Sequence, residues 1–140
     1  MSIQIIGQAI IVGNAEGELL VANEPLSFWG GYDYATGEII DRRHPLSGYI
    51  AAGKVLALPF TRGSSTTTAV LLEAVRAGTA PAAIIITGID KFFALAAVVA
   101  EEMYGKAFPL VSISEADFAR LEMGQKIQVN GNEIQIQGHL

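Results

Sequence analysis

Cysteine is absent from the 140 residues of this chain. Its absence excludes disulfides, thiolate catalysis and zinc ribbons. It also excludes an iron–sulfur cluster held by this chain alone, since such clusters are normally held by cysteine thiolates. A cluster held by a partner protein stays compatible with the sequence, so we expect no cofactor bound by this chain itself.

Positive charge is also scarce. The chain has 9 Lys and Arg against 14 Asp and Glu, a formal net charge of −5, and its one basic pair is Arg42 with Arg43. Nucleic-acid-binding domains carry a basic stripe or patch, so no nucleic-acid partner is expected. Only 16% of the residues are charged and 51% are hydrophobic. We therefore expect part of the apolar surface to contact a protein partner.

Targeting and membrane signals are missing as well. Residues 1–6 have neither the basic nor the apolar region of a signal peptide. The longest uncharged apolar run, near residues 78–88, is too short to span a bilayer. We expect a cytoplasmic protein without a membrane contact. With no linker, repeat or low-complexity tract, residues 1–140 form one predicted domain.

The first half of the chain predicts strands and one long irregular segment. Apolar runs at 3–12 and 17–22 predict two strands, joined by a polar turn at 13–16. Residues 23–53 are rich in glycine and proline and contain only short strand candidates such as 38–40. Irregular segments of this length are usually functional or interfacial.

The second half alternates buried-type strands with helices. We predict strands at 54–58, 82–87 and 109–113, a short helix capped by Ser114 and ending near Gly124, and a hairpin turning at Asn130-Gly131. One helix starts at Ser64 or Ser65, ends at Ala77 and has its apolar face at Val70, Leu71, Ala74 and Val75. A second spans 92–104, with Phe92, Leu95, Ala96, Val99 and Met103 on its apolar face. This order favours an α/β domain, a mixed sheet with a parallel centre and covering helices.

A run of hydroxyl residues marks the most informative segment, residues 58–68 (LPFTRGSSTTT). It follows a predicted strand and opens a predicted helix, which is where α/β folds bind ligands. The free N–H groups and dipole of a helix start favour an anion, Gly63 permits close approach, and Arg62 adds positive charge. Alternatively, Ser64 or Ser65 is a plain helix cap and the hydroxyls only solvate the helix end.

Isolated polar and aromatic residues in the first half can each be interpreted in two ways. His44 is either a proton shuttle or interface contact, or simply a solvated or hydrogen-bonded loop residue, which is the commoner role of a lone histidine. Trp29 either packs on a substrate or partner, or anchors the long segment to the core. Asp33 and Asp41 are expected to be solvated. His139 is expected to be inert, and the residues show no metal-ligand spacing.

Six short motifs follow one another in a fixed order over nearly the whole chain. They are SFWGG at 27–31, TGEIID at 36–41, HPLSG at 44–48, GKVL at 53–56, RGSS at 62–65 and GTAPAAII at 78–85. This ordered set resembles the small subunit of aconitase X. The resemblance implies a swivel domain with a β/β/α fold. It also implies a hydro-lyase whose separate large subunit carries an iron–sulfur cluster.

The resemblance also implies roles for residues 62–68, which we call the hydroxyl turn. Ser64 matches the serine that acts as general base, and Ser65 the neighbouring hydroxyl that helps to bind substrate. Aconitase has a carboxylate-binding arginine at the next position, where this chain has Thr66. We therefore expect Arg62, backbone N–H groups around Gly63, or the large subunit to hold the substrate carboxylate.

We expect this chain to be the small subunit of a dehydratase acting on cis-3-hydroxy-L-proline. The His44-Pro45 loop and the run of hydroxyl residues resemble the members of the family that act on this substrate. The family also includes phosphomevalonate dehydratases, which remain an alternative. An anion-binding module without catalysis and a free-standing hydrolase using Ser64 are also compatible with the hydroxyl turn. For the large subunit, we expect a contact surface formed by residues 23–53 and 62–68.

Overall fold

The computed structural model describes residues 2–60 and 65–137. The elements, in chain order, are β1 (Ser2–Ile6), β2 (Gln8–Ile11), β3 (Asn14–Val21), β4 (Tyr32–Asp33), β5 (Glu38–Ile39), β6 (Val55–Ala57), α1 (Ser65–Ala77), β7 (Ala83–Thr87), α2 (Lys91–Tyr104), β8 (Leu110–Ile113), α3 (Glu115–Phe118), β9 (Lys126–Asn130) and β10 (Glu133–Gln137).

Eight of these strands form one mixed sheet in the order β1-β10-β9-β3-β6-β7-β8-β2. The centre is parallel, with β3, β6, β7 and β8 side by side. Strands β1, β10 and β9 form an antiparallel ribbon on one side, and β2 runs antiparallel to β8 at the other edge. The predicted mixed sheet with a parallel centre and covering helices is confirmed.

Strand β3 belongs to both parts of the sheet. Residues 14–18 pair with β9 of the ribbon, and residues 19–21 pair with β6 of the parallel centre. The ribbon can therefore fold over one face of the parallel strands. Its buried isoleucines and valine share one apolar cluster with parallel-strand residues: Ile5, Ile127, Val129, Ile134 and Ile136 with Val55, Ala57, Ile85 and Val111.

Helices α1 and α2 cover the opposite face of the parallel strands. The predicted inner face of α1 is confirmed, since Val70, Leu71, Ala74 and Val75 are all buried. Together with residues of the segment 23–53 they form the second apolar cluster. The layers are thus ribbon, parallel sheet and helices, which is the β/β/α arrangement implied by the family resemblance.

The irregular segment 23–53 is the crossover between two parallel neighbours. Because β3 and β6 run side by side in the same direction, the chain must return across a sheet face between them. Phe28 fixes this return: it is fully buried, with its ring centroid 5.2 Å from that of Tyr32 and 5.5 Å from that of Phe93. The Tyr32 hydroxyl donates to the carbonyl of Thr79, 2.7 Å away.

The single strand predicted at 3–12 is wrong, because the chain breaks at Gly7. Strand β1 pairs with β10, whereas β2 pairs with β8 at the far edge of the sheet. Close packing fixes the break: a Cβ on Gly7 would lie 2.5 Å from the carbonyl oxygen of Ser112. The turn predicted at 13–16 is also wrong, because residues 14–16 lie within β3, where they pair with β9.

The predicted inner face of α2 is wrong in part. The helix begins at Lys91 rather than at Phe92, and its buried residues are Phe93, Ala96, Ala97 and Ala100. Leu95 and Met103, which were expected in the core, are exposed. Three of the four buried residues are alanines, which let a helix approach its neighbours closely, so the larger side chains point outward.

The C-terminal elements follow the sequence prediction with two corrections. The Ser114 hydroxyl accepts from the backbone N–H of Asp117 at 3.1 Å, as expected of a helix cap. The helix α3 ends at Phe118, however, and does not reach Gly124. The predicted hairpin β9–β10 forms, but its turn is Gly131-Asn132, one residue later than predicted, because Asn130 pairs with Glu133.

Replacing Gly7 with alanine should destabilise the fold. The added methyl group would collide with the backbone of β8, so we expect the free energy of unfolding to fall by about 1–3 kcal/mol. Urea unfolding monitored by circular dichroism measures the change. The control is Gln8→Ala at the neighbouring exposed position, where a change within about 0.5 kcal/mol is expected. Equal stability of Gly7→Ala and wild type would contradict the close packing.

Phe28 and Trp29 provide a second test of the crossover. Phe28→Ala removes a fully buried ring and should cost about 3–5 kcal/mol of unfolding free energy. Trp29→Ala removes a side chain that is 72% exposed and should change stability by no more than about 0.5 kcal/mol. Thermal unfolding of the two variants compares them directly, and a Trp29→Ala loss as large as that of Phe28→Ala would show that Trp29 anchors the segment.

Candidate functional site

The hydroxyl turn connects β6 to α1. Arg62, Gly63 and Ser64 lie outside the described residues, and the structure describes only the backbone of Ser65. The described residues on either side fix the two ends of this connection. Strand β6 ends at Ala57 and α1 begins at Ser65, so the connection begins at the carboxyl-terminal edge of the parallel strands. This is the edge at which α/β sheets bind ligands.

The segment that leads into the turn is held against β7. The backbone N–H of Leu58 donates to the carbonyl of Ile85 at 3.0 Å. The carbonyl of Pro59 accepts two hydrogen bonds from Thr87, one from its backbone N–H at 3.3 Å and one from its hydroxyl at 3.0 Å. These bonds fix the chain up to the residue before Phe60.

The segment that follows the turn is held against α2. Thr67 and Thr68 are buried, and the Thr68 hydroxyl donates to the carbonyl of Phe92 at 3.1 Å. The interpretation in which all five hydroxyls solvate the helix end is therefore wrong for these two threonines. Thr66 is half-buried and lies in the first turn of α1. The start of α1 is thus packed through Thr67 and Thr68 and tied to α2 through Thr68.

The two helix starts at this edge differ in charge. The carboxylate of Asp90 caps α2, accepting from the backbone N–H groups of Phe92 at 3.0 Å and Phe93 at 3.3 Å. The first turn of α1 carries no acidic residue. Since an acidic side chain already occupies the start of α2, the start of α1 is the better location for a substrate anion. Sequence reasoning missed Asp90, although an aspartate directly before a helix is a recognised cap signal.

Three exposed apolar side chains follow residues that pair or pack near this edge of the sheet. Phe60 is 52% exposed and directly follows Pro59, and Ile89 is 76% exposed and lies two residues after Thr87. Pro59 and Thr87 are hydrogen-bonded to each other. Trp29 is 72% exposed and follows Phe28, whose ring contacts Phe93 near the start of α2. We call Trp29, Phe60 and Ile89 the apolar rim. The anchor of the crossover is Phe28, so the alternative in which Trp29 anchors it is wrong.

His44 is a structural residue of the crossover. Its side chain is buried; Nε2 is 3.1 Å from the carbonyl of Glu24, and Nδ1 accepts from the backbone N–H of Leu46 at 3.1 Å. Both contacts are satisfied by a neutral ring with its proton on Nε2. The hydrogen-bonded alternative for His44 is confirmed, and neither ring nitrogen is left to serve Ser64 as a base.

Two loop aspartates also have structural roles. Asp33 accepts from the backbone N–H of Ala35 at 2.9 Å, and Asp41 accepts from that of Arg43 at 3.0 Å. They close local turns instead of being merely solvated. A polar pocket of about 410 Å³ lies between the start of the crossover and its middle part, lined by Glu24, Pro25, Ser27, Asp41, Arg43 and His44.

A metal site is not found in the described part of the chain. Among residues 2–60 and 65–137, no three His, Asp or Glu side chains are grouped to hold a metal ion. With no cysteine in the sequence, the residues do not fit an iron–sulfur cluster either.

None of the helices formed by the described residues is both long enough and apolar enough to cross a membrane.

Comparison with known proteins identifies related sequences over most of the chain. The family model described as aconitase X swivel domain matches residues 4–137. A cis-3-hydroxy-L-proline dehydratase of Pseudomonas aeruginosa is 48% identical over 111 residues, 79% of this chain and 19% of that protein. A phosphomevalonate dehydratase small subunit of Pyrococcus furiosus is 38% identical over 138 residues, 96% of this chain and 97% of that subunit.

Solved structures agree with the sequence matches. The crystal structure of Thermococcus kodakaraensis aconitase X in its holo form superimposes with a TM-score of 0.85 at 31% identity, covering 96% of this chain and 98% of the compared chain. The chain spans about a fifth of the length of the hydroxyproline dehydratases that it matches. Fold, motif order and family model agree: the chain belongs to the aconitase X swivel-domain family.

Proposed function

We propose that this chain is the swivel subunit of an aconitase X dehydratase, which removes water from a small hydroxy acid. The observation that carries the proposal is the family match over residues 4–137 together with the position of Gly63-Ser64-Ser65 before and at the start of α1. Several relatives are named dehydratase small subunits, which supports a second, larger subunit as the partner.

In this proposal Ser64 is the general base. Its Oγ, as the alkoxide, takes the proton from the substrate carbon. The substrate hydroxyl takes up a second proton, from an acidic group of the large subunit or from solvent, and leaves as water, and Ser64 then returns its proton to solvent. A serine must be close to its alkoxide form for this role, so the negative charge needs stabilisation. The helix start of α1, which lacks an acidic residue, and the guanidinium of Arg62 are suited to supply it.

The substrate carboxylate would be held near the same turn. Ser65 would donate its hydroxyl, Gly63 would allow close approach, and Arg62 would neutralise the charge. Thr66, at the position of the aconitase arginine, would contribute a hydroxyl in place of a cation. The iron–sulfur cluster, for which this chain has no cysteine ligand, would belong to the large subunit.

The substrate that we propose is cis-3-hydroxy-L-proline. Two relatives named for this activity are 48% and 40% identical to the chain, whereas six phosphomevalonate dehydratase small subunits are 34–38% identical. A specific observation favours phosphomevalonate as the second candidate. The chain spans 85–97% of the length of those small subunits but only about a fifth of the hydroxyproline dehydratases.

The large subunit would contact the apolar rim. Trp29, Phe60 and Ile89 are exposed, and exposed apolar groups are typical of interaction sites. Phe60 and Ile89 come just after the carboxyl ends of β6 and β7, which is the edge where the connection to α1 begins. Docking at this edge would bring the large subunit over Ser64 and exclude water from the reaction. Phe28 and Tyr32 were also expected to contribute to this surface, but both are buried in the core.

Replacing Ser64 with alanine tests the proposed base. In the complex with the large subunit, we expect dehydration to fall by about 10²–10⁴-fold, because alanine offers no proton acceptor. Steady-state kinetics on cis-3-hydroxy-L-proline and on phosphomevalonate measure the loss and also decide between the substrates. The control is Ser65→Ala, which should raise KM more than it lowers kcat.

If Ser64 were only a helix cap, Ser64→Ala would lower stability and not turnover. Loss of a cap would cost about 1 kcal/mol of stability and leave turnover nearly unchanged. A kcat within about threefold of wild type would therefore reject the catalytic role. In that case the Arg62–Ser65 turn would be an anion-binding site without catalysis.

The need for a partner is tested by assaying the chain alone and with the large subunit. We expect the chain alone to fold, to be colourless and to lack dehydratase activity, and the co-expressed complex to be coloured and active. The expectation rests on the absence of cysteine and on the engagement of both His44 nitrogens by the backbone. Turnover by the chain alone would contradict it.

A further inference from the structure

A second exposed stripe runs along α2. Lys91, Leu95, Val98 and Glu102 follow one another at intervals of four, three and four residues, which places them on one side of the helix. All four side chains are exposed, with Leu95 at 50% and Val98 at 52%. The buried residues of α2, Phe93, Ala96, Ala97 and Ala100, lie on the opposite side. We call the four exposed residues the α2 stripe.

The α2 stripe is complementary to itself when it is reversed. A twofold axis between Ala96 and Ala97 would place Leu95 of one copy opposite Val98 of the other. The same axis would place Lys91 opposite Glu102. In an antiparallel pair of α2 helices, apolar side chains therefore contact apolar side chains and lysine contacts glutamate. Each contact occurs twice, as a twofold interface requires.

We propose that the α2 stripe is a contact surface for a second copy of this chain, with the two α2 helices antiparallel. Charge complementarity favours a second copy as the partner. In the antiparallel arrangement, the lysine at one end of each stripe meets the glutamate at the opposite end of the other stripe, and the apolar residues meet in between. Two parallel helices in register would place lysine against lysine and glutamate against glutamate. The contact lies on the outer side of the helix layer.

A groove next to the α2 stripe provides a place for the end of the second helix. It has a volume of about 460 Å³, with Val98, Glu101 and Glu102 on its α2 side and Val12 and Pro109 among its other lining residues. Val12 is 77% exposed. In the antiparallel arrangement, Lys91 of the second copy approaches the two carboxylates of this groove. The groove occurs once in each copy, so the dimer would fill it twice.

The contact should be weak. A helix of 14 residues has about four turns, and a pair of such helices buries less surface than a standard interface of about 1,600 Å². Each copy also carries a net charge of −5, so the dimer forms against an overall repulsion. We expect a dissociation constant of about 10 µM or higher.

A charge exchange tests the arrangement, measured by sedimentation velocity of the full chain over a concentration series reaching millimolar. Wild type should dimerise, and Lys91→Glu or Glu102→Lys should each weaken dimerisation by about tenfold because like charges then meet. The double variant Lys91→Glu/Glu102→Lys should restore it. The two residues are about 16 Å apart along one helix, so they cannot compensate for each other within a single copy.

The matched control is Lys126→Glu, an exposed charge reversal on β9 that should leave dimerisation unchanged. Far-ultraviolet circular dichroism checks that each variant stays folded. A wild-type chain that remains monomeric throughout the series would overturn the proposal. So would a double variant as weak as the single variants, or single variants that impair only binding of a co-expressed large subunit. None of these results depends on the activity of Ser64.

Discussion

The division of β3 between two pairing partners determines the rest of the molecule. Its first five residues complete the ribbon and its last three join the parallel centre, so one continuous strand links two layers. Parallel pairing with β6 then requires the crossover 23–53, since the chain must return across the sheet before β6 can begin. The crossover carries Phe28 into the core and leaves the neighbouring Trp29 exposed. The exposed position of Trp29 therefore follows from the crossover that strand topology requires.

Local sequence patterns predicted the elements that depend on local forces. The parallel strands, the inner face of α1, the Ser114 cap and the β9–β10 hairpin follow from apolar runs, helical spacing and turn residues. The break at Gly7 could not be predicted, because it depends on the distance to Ser112 of β8. The inner face of α2 was misassigned because helix packing selected the small alanines, while hydrophobicity favours Leu95 and Met103.

The position of the candidate site was easier to predict than its surroundings. A strand, a glycine-containing turn and a helix follow one another in the sequence, so the turn falls at the carboxyl edge of the sheet. Asp90 and Ile89 come from the next strand–helix connection, about 25 residues further along. Only the parallel pairing of β6 with β7 brings them to the same edge. Similarly, the contact of His44 with Glu24 depends on how the crossover closes on itself.

The hydroxyl of Tyr32 has a consequence in alkaline solution. Burial raises the pKa of this phenol above its ordinary value of about 10. The folded chain therefore keeps the proton that Tyr32 donates to Thr79 at a pH where the unfolded chain loses it. Since the unfolded state then binds fewer protons, rising pH favours unfolding through this residue. The hydrogen bond from Tyr32 in the crossover to Thr79 after α1 thus contributes to the highest pH at which the chain stays folded.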